Sequence, residues 1–544
     1  MKRMTLDLLI TLDRTGDAAE GLTRQIYAQL RQAILSGRLR AGDRLPPSRA
    51  LAQELDVARL TVATAYDWLR AEGYVSGRVG AGTFVAPVFE GYAPVERAEA
   101  EAREDIAISS AYAMPASDTP ATAAEVLRPV LTEWARRIQA IPLIGAGSMD
   151  GGANGAEFDF RPSIGAADLF PWARWRRIVA WQDTADPLAE LRAQARESAA
   201  GAGRWDALLG PLETRSAIAA WLRRSRAVRC DPDQLLIASS VQQVLALLAR
   251  LFVEPGQPLL VEDPSYIGFH AAFLAEGAAL RGIPVDESGI RVDALPEPGA
   301  DGTLVGARLL IVTPSHQYPT GVTLSMERRM GLIDWARRAG ATLVEDDYDG
   351  DLRLEGQPLE ALRGLDERDE VIYLGTFAKA LYPAARLAFA ALPRWLIEPV
   401  ARARAASDRH PAWRDALAIA RFIEAGELER HLARMRRVYR ARRDALVAAL
   451  QTELGEIMRV GPADAGMHLL ASLPVGVDDV ALAERARARG LAIAALSPHY
   501  QAQPRPGLLL GFGAMNEDQL AEGVRRLAPL AREAVALAAE SPAR

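Results

Sequence analysis

The chain has a single cysteine, Cys230, and only two lysines, Lys2 and Lys379, in 544 residues. One thiol excludes an intrachain disulfide framework. One cysteine with six scattered histidines shows no metal-ligand spacing, so no metal site is expected. No stretch reaches the ~18 uninterrupted apolar residues of a membrane-spanning helix. The opening MKRMTLDLLITLDRTGD meets acidic residues too early for a secretory h-region. The expectation is a soluble, cytoplasmic protein with no membrane partner. Charge of one sign is not in excess either: 64 basic against 70 acidic residues give −6. That balance excludes a uniformly polycationic chain but leaves room for one basic module.

The scarcity of lysine is itself informative, because the remaining 62 basic residues are arginines. Arginine serves surface solubility equally well, so an interior lysine points to chemistry that a guanidinium cannot do, above all imine formation through a deprotonated amine. Lys379 is the interior one; the plain alternative is a surface lysine left over by a biased composition. At 49% hydrophobic and 25% charged residues the chain has globular proportions. Its length suggests three to four pieces of about 150 residues each.

Residues 20–86 read as three helices and a hairpin. Ile26, Tyr27, Leu30 and Ile34 share one face of a first helix that Gly37 ends. Ser48, after two prolines, is the expected N-cap of a second helix with Leu51, Ala52 and Leu55 inward. A third helix places Val62, Ala65, Tyr66 and Leu69 at i, i+3, i+4 and i+7, leaving Arg59, Thr61 and Thr64 on other faces. Two short helices joined by a tight turn form helix-turn-helix geometry. Gly80 and Gly82 then supply the turn of a small wing. Nine arginines against six acids give this segment a local +3, which suits phosphate contacts on double-stranded DNA.

The strings LPPSRALA, AR-x-TV-x-x-AY, L-x-AEGY and GAGTFV between Ile26 and Val85 resemble the winged helix of GntR-type transcriptional regulators. The resemblance implies DNA contacts by Arg49, Arg59 and Thr61, with Gly80, Gly82 and Thr83 in the wing.

Residues 87–157 turn Ala-, Pro-, Gly- and Glu-rich and read as a linker. Within it, TPATAAEVLRPVLTEWARRIQA carries an amphipathic helix with Thr119 as N-cap and Val126, Leu127, Val130, Leu131 and Trp134 on one face. From Phe158 to about residue 535, the β-rich runs LLIAS, QPLLVED, ARLLIVTPS, ATLVEDD and VIYLGTF alternate with helical stretches, a parallel-sheet α/β pattern. Ligands of such sheets gather at strand C-terminal ends. There lie Asp263, Tyr266, His316, Tyr318, Asp346, Tyr348 and Lys379.

Pyridoxal phosphate chemistry needs these types together: an amine, a carboxylate for the pyridine nitrogen, a hydroxyl for the phenolic oxygen, an aromatic face, and donors for the phosphate. Lys379, Asp346, Tyr348 and Tyr266 supply the first four. Thr376, Arg386 and the turn Ser240, Val241 and Gln242 at a helix N-terminus supply the last.

FPWARWRR, VEDPSYIGFH, VTPSHQYPTG, VEDDYDGDLR and VIYLGTFAKALYPAARLAF resemble a type I pyridoxal phosphate aminotransferase domain. Winged helix followed by aminotransferase-like domain resembles the MocR subfamily of GntR-type regulators. The resemblance implies pyridoxal 5'-phosphate as cofactor, a homodimer, a DNA operator and a small amino compound as effector. Departures stand at Val241, at Ala378 in place of a serine, at Trp205 in place of a tyrosine from the neighbouring subunit, and at Leu509, where aminotransferases carry the arginine that clamps the substrate carboxylate; Arg505 is nearby. Three readings remain open: a cofactor-binding regulator, an active aminotransferase with an appended DNA-binding module, and a regulator whose large domain only dimerises.

Overall fold

The computed structural model describes residues 10–12, 21–78, 82–87, 131–141, 156–184, 205–297, 307–356, 359–381, 386–409 and 411–540. The chain divides into two compact units, Met1–Val126 and Leu127–Arg544.

The first unit is built from α1 (Leu22–Leu35), α2 (Ser48–Glu54), α3 (Arg59–Ala71), β1 (Val75–Arg78) and β2 (Gly82–Val85). Its core takes Ile26, Leu30 and Ile34 from α1, Leu51 and Ala52 from α2, and Val62, Ala65, Tyr66 and Leu69 from α3. That is the stripe the helical spacing predicts. Gly37 stops the first helix at φ 72°. One expectation needs correcting: Ser48 is the first helical residue, not the cap. Pro47 holds the cap position with no side-chain bond, so the fixed φ of proline starts α2 where a hydroxyl was expected. β1 and β2 pair antiparallel from Val75↔Val85 to Arg78↔Gly82. The Leu45 N–H donates to the Thr83 carbonyl at 2.9 Å, tying the wing to the segment before α2.

Residues 119–130 of the expected linker helix lie outside the described residues. What is described is α4 (Glu133–Gln139), capped by the Thr132 hydroxyl accepting from the Ala135 N–H at 3.2 Å. Its attachment within the second unit is polar: Trp134 Nε1 donates to Glu276 at 3.2 Å and Arg137 Nε to the Ala275 carbonyl at 3.0 Å. Leu131 and Trp134, expected on the apolar face of that helix, are exposed, as is Ile138.

In the second unit, β3 (Phe158–Asp159) precedes a large sheet of β4 (Leu235–Ala238), β5 (Pro258–Asp263), β6 (Ala279–Asp286), β7 (Gly289–Ile290), β8 (Leu309–Val312), β9 (Thr342–Asp346), β10 (Val371–Thr376) and β11 (Ala388–Ala391). The spatial order is β4-β11-β10-β9-β8-β5-β6-β7. β4, β8, β9 and β11 are buried along their whole length, so β4, β8 and β11 read as unbroken apolar runs instead of alternating, and β9 ends in the buried pair Glu345 and Asp346. The five strands read from the sequence are all present. The sheet is not wholly parallel, however: β11 runs antiparallel between β4 and β10. A smaller sheet follows, with β12 (Arg459–Val460), β13 (His468–Ser472), β15 (Ala494–Ala495) and β16 (Gly507–Gly511) in the order β12-β13-β16-β15, while β14 (Leu491–Ala492) pairs with β3.

One buried ion pair fixes the loop after β9. Arg226 Nε donates to Asp347 Oδ2 at 2.6 Å, both side chains being 2% exposed. Its other nitrogens reach Ser315 Oγ at 2.5 Å and the Leu359 carbonyl at 2.6 Å. Arg226→Met strands the Asp347 carboxylate away from water. The expected loss is about 3–5 kcal/mol of stability, read as a lower urea midpoint for the second unit.

Candidate functional sites

Asp346 ends β9, Thr376 ends β10, and Lys379 follows within the four-residue helix Phe377–Ala380. The Thr376 hydroxyl accepts from the Ala378 N–H at 3.2 Å, starting that turn and aiming Lys379 back over the strand ends. Lys379 Nζ donates to the Ser163 carbonyl at 3.3 Å. Burial pushes the amine below its ordinary range, while Asp349 and Asp346 pull it up.

Asp346 is 6% exposed, and its Oδ1 is buried without a hydrogen-bond partner. Burial raises its carboxyl to about 8; Asp347 and Asp349 add to the rise, and Lys379 opposes it. A buried acceptor without a donor is costly, and a protonated ring nitrogen is a group that would satisfy it. The neighbouring side chains therefore fit a pyridine ring: Tyr266, Tyr318 and Tyr348 form a chain of edge-on rings at 5.4 and 5.9 Å between centroids. Tyr266 also feels the Asp346 charge.

Behind Tyr348 stands a hub that sequence spacing did not disclose. His316 Nδ1 lies 2.9 Å from Asp349 Oδ2 and 2.9 Å from the Tyr348 hydroxyl. A carboxylate only accepts, so the imidazole proton sits on Nδ1. Burial and Asp349 hold the Tyr348 phenol well above its ordinary range, so it stays a neutral hydroxyl. The hub depends on Gly466, at φ +74°: a Cβ there would come within 2.3 Å of Asp349 Oδ2 and 2.4 Å of the His316 ring. His468 completes the cluster, with one polar atom from each of His316, Asp349 and His468 within 4.8 Å of the others. The single proton of His316 Nδ1 is shared between Asp349 and the Tyr348 hydroxyl, which makes this side of the cluster a hydrogen-bond hub.

The strands and the helix that carry the remaining sequence candidates end on one side of the sheet. Cα register aligns Thr376 with Ala388, and Ala388 with Ala238, across β10, β11 and β4. Arg386 lies two residues before this row and Ser240 two after it. Ser240 caps the helix Val241–Phe252, its hydroxyl accepting from the Gln243 N–H at 3.2 Å. Val241 is half-buried, while Gln242 and Arg386 are exposed. Trp205 packs beside the cluster of Leu236 and Val244, with the Arg402 guanidinium 5.3 Å over its ring. Leu509 on β16 is fully buried with Tyr318, Leu470 and Leu496, and Tyr348 packs against this group. Arg505 is exposed.

On the first unit, Arg49 and Arg59 are exposed on α2 and at the start of α3, and Thr61 is half-exposed. Gly80 lies outside the described residues. Gly82 has φ +117°, and a Cβ there would meet Arg44 Nε at 2.8 Å. Arg44 lies 6.0 Å over the Phe84 ring of the wing. With Ser48, Tyr66, Arg70 and Thr83 it lines a cleft of about 280 Å³. Arg44 is a basic group at this surface that sequence reading passed over, because only the fold sets it beside the wing.

The family model "Bacterial regulatory proteins, gntR family" matches residues 22–85, and "Aminotransferase class I and II" matches residues 181–527. The probable rhizopine catabolism regulatory protein MocR of Rhizobium meliloti is 32% identical over 520 residues, covering 95% of each chain. The chain belongs to the MocR subfamily of GntR-type regulators. Another relative of this MocR-type chain is the pyridoxine biosynthesis transcriptional regulator PdxR of Corynebacterium glutamicum, 30% identical over 95% of this chain and 97% of its own. Among solved structures, the α-aminoadipate aminotransferase LysN of Thermus thermophilus, in complex with N-(5'-phosphopyridoxyl)-L-leucine, superposes with a TM-score of 0.63 at 28% identity, covering 75% of this chain and 98% of its own. The MocR-type regulator thus combines a GntR winged helix with a type I pyridoxal phosphate aminotransferase fold.

The raised Asp346 carboxyl has a consequence for the cofactor-free protein. Native Asp346 holds its proton up to about pH 8 where the unfolded residue loses it near 3.8, so its contribution to stability falls as pH rises between them. Asp346→Asn removes that dependence. Its melting temperature is expected to exceed wild type by several degrees at pH 8 and to converge with it toward pH 4, measured on cofactor-free protein.

Proposed function

We propose that this DNA-binding transcriptional regulator binds pyridoxal 5'-phosphate in its large unit and senses a small amino compound there. The observation that carries this reading is Lys379, an amine lowered by burial, set among the same strand ends as the unpartnered buried acceptor of Asp346. When bound, the cofactor supplies an aldehyde that condenses with primary amines.

Each residue then has a task. Lys379 holds the cofactor covalently and Asp346 accepts from the pyridine nitrogen, recovering the bond its Oδ1 lacks. Tyr348, steadied by the hub behind it, donates to the phenolic oxygen, and Tyr266 presents a ring face. Thr376, Arg386, Ser240, Val241 and Gln242 gather the phosphate, their support being the aligned row of strand ends. On the first unit Arg49, Arg59 and Thr61 contact the operator, and Gly80, Gly82 and Thr83 let the wing approach its backbone. The module boundaries are 20–86 for the winged helix, 87–157 for the linker and 158–535 for the sensor. Action is cytoplasmic and as a homodimer; among the described residues no helix is long and apolar enough to cross a membrane. The fully buried Leu509 offers no carboxylate clamp, which favours sensing over amino acid turnover.

Two measurements test this. Purified protein given pyridoxal phosphate should gain a visible absorbance band that borohydride bleaches into a permanent adduct, and Lys379→Ala should lose both; a band that survives the substitution refutes the covalent link. On an operator selected from a random duplex pool by the full-length protein, Arg59→Ala should bind about 10- to 100-fold more weakly. Its melting temperature should be unchanged, because the side chain is exposed.

A further inference from the structure

The strand ends beside Lys379 have a chemistry of their own, and resting on the cofactor reading above, we infer that the ligand they take is a primary amine without a carboxylate, carrying an aromatic or branched aliphatic body. The inference stands on what charge the walls hold and what they lack.

The largest charges acting on Lys379 are two carboxylates, Asp349 and Asp346. Those acting on Asp346 are Asp347, Asp349 and Glu262, with Lys379 as the cation. No arginine stands among the largest charges acting on either. Arg226, beside the same acidic turn, is spent on Asp347, Ser315 and the Leu359 carbonyl. Arg386 and Arg505 are exposed. With Lys379 taken up by the cofactor, a ligand carboxylate entering here would shed its water beside buried acids, whereas an ammonium group would meet acceptors.

The rest of the wall is aromatic and aliphatic. Tyr266 is 38% exposed and offers its open side, edge-on to Tyr318. Tyr318 in turn meets Tyr348 and His499. Leu470, Leu496 and Leu509 close the floor beneath, each less than a tenth exposed. Register places Leu509 opposite Leu470 on one side and Ala494 on the other, so this stretch of floor is apolar across three strands of the small sheet. Such a wall selects body shape by apolar contact and a cation by ring faces. None of these wall side chains carries the fixed positive charge that an anion would pair with.

The test uses the full-length protein loaded with pyridoxal phosphate and matched pairs that differ by one carboxylate: phenethylamine with phenylalanine, tyramine with tyrosine, isopentylamine with leucine. Isothermal titration calorimetry should show each amine binding at least about ten-fold more tightly than its amino acid. In Leu509→Arg the order should reverse for at least one pair. Equal affinities, tighter binding of the amino acids, or no binding by either member in wild type overturns the inference, and the wild-type panel decides it even where Leu509→Arg does not fold. The failure of the cofactor reading is distinct: it is the absence of a Lys379-dependent visible band before any amine is added.

Discussion

The Arg226–Asp347 pair is the constraint on which the large unit turns. It is sealed from water, and the single guanidinium joins three separate segments: the loop after β9, the loop after β8 through Ser315, and the strand-to-helix connection at Leu359. Asp347 also accepts from the Tyr373 hydroxyl at 2.6 Å, so β10 is tied to the same point. Asp346 on one side of this anchor and Tyr348 and Asp349 on the other inherit their positions from it. A buried pair of this kind stabilises little by itself. Its value lies in orientation, because it leaves the acidic turn no second arrangement.

Around that anchor the protein tolerates an unusual density of buried acid. Glu262 and Glu345 are each raised by burial to about 7, and Asp351 likewise. The two glutamates find donors. Glu262 accepts from Thr313 and Gln317, and Glu345 from the N–H groups of Leu362 and Arg363. Asp346 Oδ1, like Oδ1 of Asp347 and of Asp349, has no partner, and it lies at the site where a ligand's donor would be most useful.

Much of this was legible in the sequence, for identifiable reasons. The winged-helix core follows from the spacing of Val62, Ala65, Tyr66 and Leu69, since one helical face is all that short-range periodicity has to specify. Lys379 stood out because a chain that avoids lysine almost everywhere retained one after a strand. What escaped depends on contacts between distant segments. The antiparallel insertion of β11 between β4 and β10 leaves no mark on strand composition, because a strand buried on both faces is apolar in either direction. The His316–Asp349–Tyr348 hub unites residues 32 and 33 positions apart with Gly466 far along the chain, and nothing local announces that a missing Cβ makes room for it. Ser48 misled for a different reason: a proline with its preset φ did the work a hydroxyl commonly does.

The unpartnered oxygen of Asp346 also bears on how long the molecule lasts. A folded state that buries an acceptor without a donor is less stable than one in which a donor has arrived, and any ligand supplying it shifts the folding equilibrium by mass action. Proteases act on the open form, so the filled regulator outlives the empty one. The quantity of regulator in the cell, and not only its state on DNA, would then follow supply of the molecule that completes Asp346.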